Sequence, residues 1–291
     1  DTTTYADRAT RDLVARAVAR HASADTTVRD YQAHLRYRVS FGIGQRRWAN
    51  VPTAAVEEQD GTVHWSLPND LRVDILGRRE ASRLDGVNLI SSFDRPWFVP
   101  RTLGDSIRVL GGDASSRAAP HPLSKGAEAI YRYAAGDSLV IGMQGRRFAI
   151  RSITITPREN AAIAVAGRLW VDTESGDVVR FTFRFVGREL WTDLDDEMSG
   201  DSVGARRAGR IVQQLIQLDA DLEYSLQENK YWLPARQVLS GRVTVPLGGG
   251  LTVQGGFGSG RISINTCDVT PKIDSPSTRF CDIRTPFNTN Y

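Results

Sequence analysis

The pattern of apolar and polar residues is most regular between Arg146 and Gly187, where three apolar runs follow one another. In the third run, from Val179 to Phe185, every second residue is apolar and the residues between them are arginine or threonine. Because side chains on a strand point alternately to the two faces of a sheet, this spacing predicts one buried and one solvated face. Gly176 lies in the polar segment between the second and third runs and suits a hairpin turn. The three runs therefore predict an antiparallel meander.

Alternation of the same kind continues along most of the chain and predicts about eleven to thirteen strands in total. One helix is predicted over residues 3–22, with Thr3 or Thr4 as its cap. One face of this helix is formed by residues spaced three or four apart, namely Leu13, Val14, Ala17, Val18 and His21. The predicted fold class is mainly β: a large curved antiparallel sheet or incomplete β-barrel with one N-terminal amphipathic helix. We expect a single domain over residues 1–266, followed by an irregular, disulfide-stapled tail over residues 267–291.

Glycine and aspartate interrupt two of the predicted strand regions. The segments Gln59-Asp60-Gly61 and Gly136-Asp137 each lie between two apolar runs, and both predict hairpin turns. A third segment, 111–125, is rich in glycine, serine, alanine and proline, and predicts a flexible loop. His121 lies in that loop between two prolines, so we expect no rigid support for it.

Two cysteines, Cys267 and Cys281, both lie in the last twenty-five residues of the chain. We expect a disulfide between them, since two thiols with no nearby histidine do not complete a zinc site. A structural disulfide implies an oxidising compartment: periplasmic, outer-membrane-associated or extracellular. The chain begins at Asp1 rather than Met, from which we expect either a removed signal peptide or a fragment. No apolar run approaches the ~18 residues needed to span a bilayer.

The candidate chemistry of the chain is sparse. Four histidines are scattered along it, and no Gly-x-Ser-x-Gly nucleophile motif occurs, so we expect no catalysis and no cofactor. The net charge is +3 without a long run of like charges, from which we expect no nucleic-acid partner. One acidic segment is a weak candidate for calcium, with a solvated polar loop as the stronger alternative; its residues are Asp193, Asp195 and Asp201.

Aromatic residues supply the candidate ligand site. Trp97 and Phe98 lie in an apolar loop stiffened by prolines, which predicts either the mouth of a binding groove or a plug at one end of the sheet. Tyr37, Phe41 and Phe183 fall on the apolar sides of their strands and would line the same concave face. Bulky rings on one face of a curved sheet form either an apolar groove or a dense core, and the core is the commoner outcome.

The string GRLWVDTESGDVVRFTFRF, followed about forty residues later by YWLPARQ, resembles the LolA/LolB-like superfamily of outer-membrane lipoprotein-sorting proteins. It is also similar to a related envelope family in which such a region precedes an outer-membrane barrel. The matching residues are Trp170-Val171-Asp172 and Trp232-Leu233-Pro234, together with an N-terminal helix followed by a long strand. The resemblance implies an incomplete β-barrel whose concave face holds acyl chains, and hence a lipid or lipoprotein partner. This chain departs from the family in having few helices and in its cysteine-bearing tail.

Three functional hypotheses follow. The first is a non-enzymatic envelope or secreted protein that binds lipid or another apolar ligand in its concave sheet. The second is a structural subunit of an extracellular or outer-membrane complex, in which exposed strand edges pair with neighbours. For that role we expect an edge at Tyr231 to Val245. Pro234 cannot donate a hydrogen bond within a sheet, so this strand either lies at an edge or begins again after the proline. The third is a secreted hydrolase without a recognisable motif.

Overall fold

The computed structural model describes residues 4–23, 28–45, 53–67, 70–83, 99, 103–108, 118–143, 145–187, 216–227, 231–244, 251–254 and 260–271. These residues contain one α-helix, thirteen strands and a 3-10 turn at Ala127–Ala129. The elements are α1 (Arg8–Ala22), β1 (Asp30–Gln45), β2 (Thr53–Ser66), β3 (Asp70–Ser82), β4 (Ser106–Arg108), β5 (Ala118–Pro120), β6 (Tyr131–Met143), β7 (Arg146–Pro157), β8 (Ala164–Asp172), β9 (Val178–Val186), β10 (Ile216–Gln227), β11 (Tyr231–Thr244), β12 (Leu251–Gln254) and β13 (Gly260–Pro271).

Eleven of the strands form one antiparallel sheet, and β4 and β5 pair separately as a small hairpin. The order in the large sheet is β3-β2-β1-β12-β11-β10-β9-β8-β7-β6, with β13 pairing to β1 and β11 beside the short β12. The edge strands β3 and β6 do not pair with each other, so the sheet formed by the described residues is open. The predicted fold class, mainly β with a large antiparallel sheet and one N-terminal helix, is confirmed.

The helix begins at Arg8 rather than at residue 3, because Asp7 caps it: the Asp7 Oδ1 accepts a hydrogen bond from the Thr10 backbone N–H at 2.6 Å. Thr4, predicted as a cap, belongs to a short stretch that pairs with β6 instead. The Tyr133 N–H donates to the Thr4 carbonyl at 2.8 Å, and the Ala6 N–H donates to the Tyr133 carbonyl at 3.0 Å. The N-terminal segment therefore covers the first half of the β6 edge. No helix in the described ranges is long and apolar enough to cross a bilayer.

The main core lies between one face of β6–β10 and the elements that cover it, which are α1, the β4–β5 hairpin and the 3-10 turn. Residues from both sides of this core are nearly inaccessible to solvent, among them Leu13, Val14, Ile107, Leu123, Tyr131, Ile153, Leu169, Phe181 and Leu222. The alternation that predicted β9 places three phenylalanines in a row within it. Phe181 and Phe183 have ring centroids 4.4 Å apart, and Phe183 and Phe185 have centroids 5.4 Å apart. The helix and hairpin therefore fill this face.

A second core cluster lies on the same side of the sheet at β1 and β2. Its members come from those strands and from the start of β11: Val28, Tyr31, Ala33, Leu35, Tyr37, Val39, Val63, Trp65, Tyr231 and Leu233. A third and smaller cluster joins the ends of β7, β9 and β10, where Phe148 packs edge-to-face against Trp232 at 5.7 Å. Burial of this extent is the main stabilising contribution to a broad sheet with a single helix.

Both segments that were predicted as glycine–aspartate turns lie inside long strands. Gly61 lies in β2 beside a bulge of β3, since Gly61 pairs with Ile75 and Asp60 pairs with Gly77. A Cβ atom at Gly61 would lie 2.7 Å from the Asp74 carbonyl oxygen, so this position has room for glycine alone. Residues 136 and 137 likewise form a bulge within β6. The predicted hairpins are therefore wrong, and bulges take the place of the turns.

The C-terminal strands also differ from expectation. β11 is an interior strand, paired with β10 on one side and with β12 and β13 on the other, so the predicted edge at 231–245 is wrong. Pro234 is accommodated next to a bulge and before the stretch that pairs with β13. β13 continues through Cys267 to Pro271, so residues 267–271 are strand rather than irregular tail. The Cys267 side chain and Cys281 lie outside the described residues, and the disulfide stays a prediction.

Candidate functional site

The residues predicted to line an apolar groove fall into separate places. Phe183 is 4% exposed within the main core, whereas Tyr37 is 6% exposed in the cluster at β1 and β2. The backbone of Phe41 pairs with Ala55, and its side chain lies outside the described part of the chain, as do Trp97, Phe98 and the calcium candidates Asp193, Asp195 and Asp201. Phe183 and Tyr37 are therefore buried in packed clusters, as the dense-core alternative predicted for aromatic residues on one face of the sheet. Binding of an apolar ligand stays a prediction.

A polar contact inside the sheet fixes the chain directly after Trp97 and Phe98. The Val99 N–H donates to the Gln237 Oε1 at 2.8 Å, and the Gln237 Nε2 donates to the Val99 carbonyl at 2.6 Å. Gln237 is 1% exposed and pairs with Leu222 across β10 and β11. Burying these polar groups is tolerated because each bonds the other. Val99 therefore lies against the face of β11 that shares the main core, and the plug stays a prediction because Trp97 and Phe98 lie outside the described residues.

Two histidines that lie far apart in the sequence, His21 and His121, stack on one another. The rings of His21 in the last turn of α1 and His121 after β5 are 4.4 Å apart and inclined by 6°. His121 also lies edge-on to Phe181 at 5.5 Å, and its Nδ1 accepts from the Leu123 N–H at 3.0 Å. The His21 Nε2 lies 3.3 Å from the Asp105 Oδ1. These ordered contacts contradict the expectation that His121 lacks support. They also contradict the described part, residues 118–125, of the flexible loop predicted over residues 111–125, whereas residues 111–117 lie outside the described ranges.

The contacts of the His21–His121 pair indicate a structural role. Burial lowers the pKa of His121 well below its ordinary value, and His21 lowers it further when it carries a positive charge. A neutral His121 whose Nδ1 accepts a backbone hydrogen bond carries its proton on Nε2. Within the described ranges, no group of three or more histidine, cysteine, aspartate or glutamate side chains is arranged to hold a metal ion. We therefore interpret the stacked pair as a contact that holds α1 against the β4–β5 hairpin.

The buried His121 predicts a specific dependence of stability on pH. Its folded-state pKa lies below the value of about 6.5 of an exposed histidine, so the unfolded chain binds more protons below that pH. The stabilisation is complete above about pH 6.5 and is lost as the pH falls through the folded-state pKa. We expect His121→Asn to reduce this acid-side slope, because asparagine does not titrate and can still accept from Leu123. Urea unfolding from about pH 7 to about pH 5 measures the slope, and an unchanged slope in the variant would contradict the assignment.

The opposite face of β9–β11 carries a ladder of paired charges. Arg180 binds Asp221 through two hydrogen bonds of 3.0 and 2.8 Å, and Arg184 binds Asp219 at 2.7 and 3.2 Å. These carboxylates raise the pKa of both guanidinium groups. An open depression of about 630 Å³ lies above the small side chains beside this ladder, including Ala166, Thr182 and Ser240. Because the charges pair across neighbouring strands, we assign the ladder to strand register rather than to ligand binding.

Exposed apolar side chains concentrate at the two edges of the sheet. The large hydrophobic residues that the described part of the chain exposes are Leu67, Leu71, Ile75, Leu76, Leu139 and Val140. All but Leu67 lie on the edge strands β3 and β6, and Leu67 follows the end of β2. Leu76 is 71% exposed and Val140 is 58% exposed. The N-terminal segment covers β6 near Tyr133. No other described strand pairs with the stretch from Ser138 to Met143 on that side, and we call this stretch the open half of β6.

The two open edges are the strongest candidate for a functional site. An edge strand presents a row of N–H and C=O groups that can pair with another chain, and proteins usually protect long edges with charges, bulges or covering segments. β3 has thirteen residues and is exposed along nearly its whole length. The sequence indicated a different strand as the edge, because the order of strands in the sheet depends on where the C-terminal strands insert.

No family model matches this chain, and no curated protein matches it in sequence. Among solved structures, the crystal structure of MucB is similar at 10% identity and a TM-score of 0.25, over 91% of this chain and 96% of that chain. MucB in complex with MucA(peri) is similar at 11% identity and a TM-score of 0.20, over 90% and 98%. The complex of Pseudomonas aeruginosa MucA and MucB is similar at 12% identity and a TM-score of 0.18, over 87% and 93%. These values assign the chain to no family, and its fold rests on its own strand pairing.

Proposed function

We propose that this protein is a non-enzymatic assembly subunit of a cell-envelope or extracellular complex, and that it binds its partners along the open edges of its sheet. The observation that carries the proposal is the position of the exposed apolar residues. Five of them lie on the two edge strands: Leu71, Ile75, Leu76, Leu139 and Val140. Apolar side chains beside unpaired backbone groups are the features that strand addition uses, since the backbone bonds give affinity and the side chains give specificity.

The filled face of the sheet supports binding at the edges over binding in a groove. Phe183 packs between Phe181 and Phe185 in the main core, and Tyr37 packs within a separate cluster. A lipid or other apolar ligand at these residues would have to displace buried side chains of a packed core, and protein interiors have few voids to accept one. Assembly through the edges needs no such displacement.

Site-specific photo-crosslinking in cells that produce the protein tests this function. A photoreactive phenylalanine analogue is placed at Leu76 on β3 or at Val140 on β6. Gln217 and Glu159 are the control positions, because both are exposed, Gln217 lies on the interior strand β10, and Glu159 lies beyond the end of β7 that pairs with Tyr131 rather than with Ser138 to Met143. We expect discrete crosslinked products from the edge positions and none from the controls.

Two outcomes would contradict the proposal. One is the absence of products at both edge positions, and the other is products of equal yield at the edge and control positions. Near-native far-UV circular dichroism of each purified variant ensures that a missing product does not result from unfolding.

A further inference from the structure

Five residues near the start of β3, Leu71–Ile75, have a self-complementary order of side chains. Leu71, Val73 and Ile75 lie on the side of β2 that carries Trp65 and Val63, because they pair with Trp65, Val63 and Gly61. Arg72 and Asp74 lie on the other side, paired with His64 and Thr62. Reversal of the segment about Val73 exchanges leucine with isoleucine and arginine with aspartate. An antiparallel copy of the same segment therefore meets apolar residues with apolar residues and each charge with its opposite.

We propose that two copies of this chain pair through β3, antiparallel, with Val73 opposite the Val73 of the second copy. This inference rests on the proposed function and names the partner of one of its two edges. In this register Leu71 lies opposite Ile75 on one face, and Arg72 lies opposite Asp74 on the other. Cross-strand pairs of both kinds stabilise antiparallel sheets, whereas like charges at these positions destabilise them. Pairing β3 with itself joins two open sheets into one and removes the exposed edge.

The exposure and charge of β3 fit this contact. The Arg72 side chain is 69% exposed, and its Nη2 lies 2.9 Å from the Asp74 Oδ2 of the same strand. In the paired edge the two arginines and two aspartates alternate in a ring of four opposite charges. Leu71 and Ile75 are each 38% exposed in the single chain and would become covered beside Val63 and Trp65.

The bulge at Leu76 limits the length of the contact. Regular pairing between β2 and β3 runs from Asp70 to Ile75 and shifts beyond Leu76. The five residues from Leu71 to Ile75, at about 3.4 Å each, give a contact about 17 Å long. A contact of this length buries less surface area than the about 1,200–2,000 Å² of a stable interface. We therefore expect the dissociation constant to lie in the micromolar to millimolar range. The open half of β6 carries no charged residue from Ser138 to Met143, and no comparable complementarity selects a partner for it.

A charge-swap experiment tests the register. Arg72→Asp places two aspartates opposite two aspartates in a pair of identical chains, and Asp74→Arg places two arginines opposite two arginines. A mixture of the two single variants restores one opposite charge at each position. We expect the purified wild-type protein to show a rising average mass in sedimentation equilibrium up to about 1 mM, and each single variant to associate at least about tenfold more weakly. The equimolar mixture should recover association near the wild-type level.

The matched control reverses an exposed ion pair away from the edge. Arg8 and Asp12 lie on the solvated side of α1, and the double variant Arg8→Asp/Asp12→Arg should associate like the wild type. Thermal unfolding of every variant verifies that the fold is intact.

A wild-type protein that stays monomeric over the whole concentration range would overturn this inference, as would a mixture that associates no better than its two components. If crosslinks from Leu76 then join a different protein, the proposed function stands and the second copy is excluded as the partner. Absence of crosslinks at both edges would sink the proposed function itself.

Discussion

Phe181→Ala is expected to lower the free energy of unfolding by about 3–5 kcal/mol, the range for removal of a buried aromatic ring. Phe181 is 2% exposed and lies in the main core, between its own strand β9 and the turn after β5. Its ring is 4.4 Å from that of Phe183 on the same strand and 5.5 Å from that of His121 in the turn after β5. Truncation therefore leaves a cavity between the sheet and the elements that cover it. Urea unfolding followed by tryptophan fluorescence measures the loss.

Val140→Ala is the control for this substitution. Val140 lies on the outer half of β6 and is 58% exposed, so its truncation should change the free energy of unfolding by no more than about 0.5 kcal/mol. If Phe181→Ala cost no more than Val140→Ala, the ring would not lie in a packed core, and the filled face described above would be wrong.

Gly167→Ala is expected to destabilise the protein by about 3 kcal/mol, at the upper end of the range for overpacking. Gly167 lies in β8 opposite Phe183 of β9. A Cβ atom at this position would overlap the Thr182 carbonyl oxygen and would lie 2.7 Å from the Phe183 Cα. These are backbone atoms of a paired strand, so the strands must separate to make room. The expected result is a lower urea midpoint, measured under the conditions used for Phe181→Ala.

Gly77→Ala provides the matched comparison, because it makes the same change in another strand of the same sheet. No atom lies within 4 Å of a Cβ atom built at Gly77. We expect this variant to be as stable as the wild type or slightly more stable, since alanine restricts the unfolded chain more than glycine does. Equal destabilisation by the two substitutions would show that strand propensity, rather than close approach, determines the effect at Gly167.

Local alternation predicted the central part of the fold well. The runs around Phe181 and Leu169 became β9 and β8, and their apolar sides became the main core, because a period of two determines which face of a sheet is buried. The same periodicity predicted a mainly β chain with one helix. These features depend on neighbouring residues, which the sequence displays directly.

Turns and caps were less accurate because one residue type serves several backbone roles. Gly61 and Gly136 were predicted to lie in hairpin turns, yet each lies at a bulge inside a longer strand. Glycine next to aspartate suits a tight turn and a bulge alike, and the pairing partner decides between them. The sequence predicted Thr3 or Thr4 as the helix cap, yet Asp7 caps the helix, because Thr4 pairs with Tyr133 instead.

Long-range contacts were beyond the reach of sequence patterns. His21 and His121 stack across one hundred residues of chain, and Val99 bonds Gln237 across 138 residues. The open edges depend on the insertion of β12 and β13 between β1 and β11, which makes β11 an interior strand and leaves β3 at the edge. A buried glutamine on the apolar side of a strand was the one local signal for the Val99 contact.

Residue-resolved amide hydrogen exchange on dilute protein tests the central claim, that the edge of β3 is open for pairing. The N–H groups of successive residues in a strand point to opposite sides, so every second amide of β3 faces β2 and the others face outward. Between Asp70 and Leu76 we predict alternation of slow and fast exchange, with slow exchange throughout the interior strands β8 and β9. Equally slow exchange of both sets of β3 amides in the dilute protein would contradict the account, because the edge would then be covered before any partner arrived.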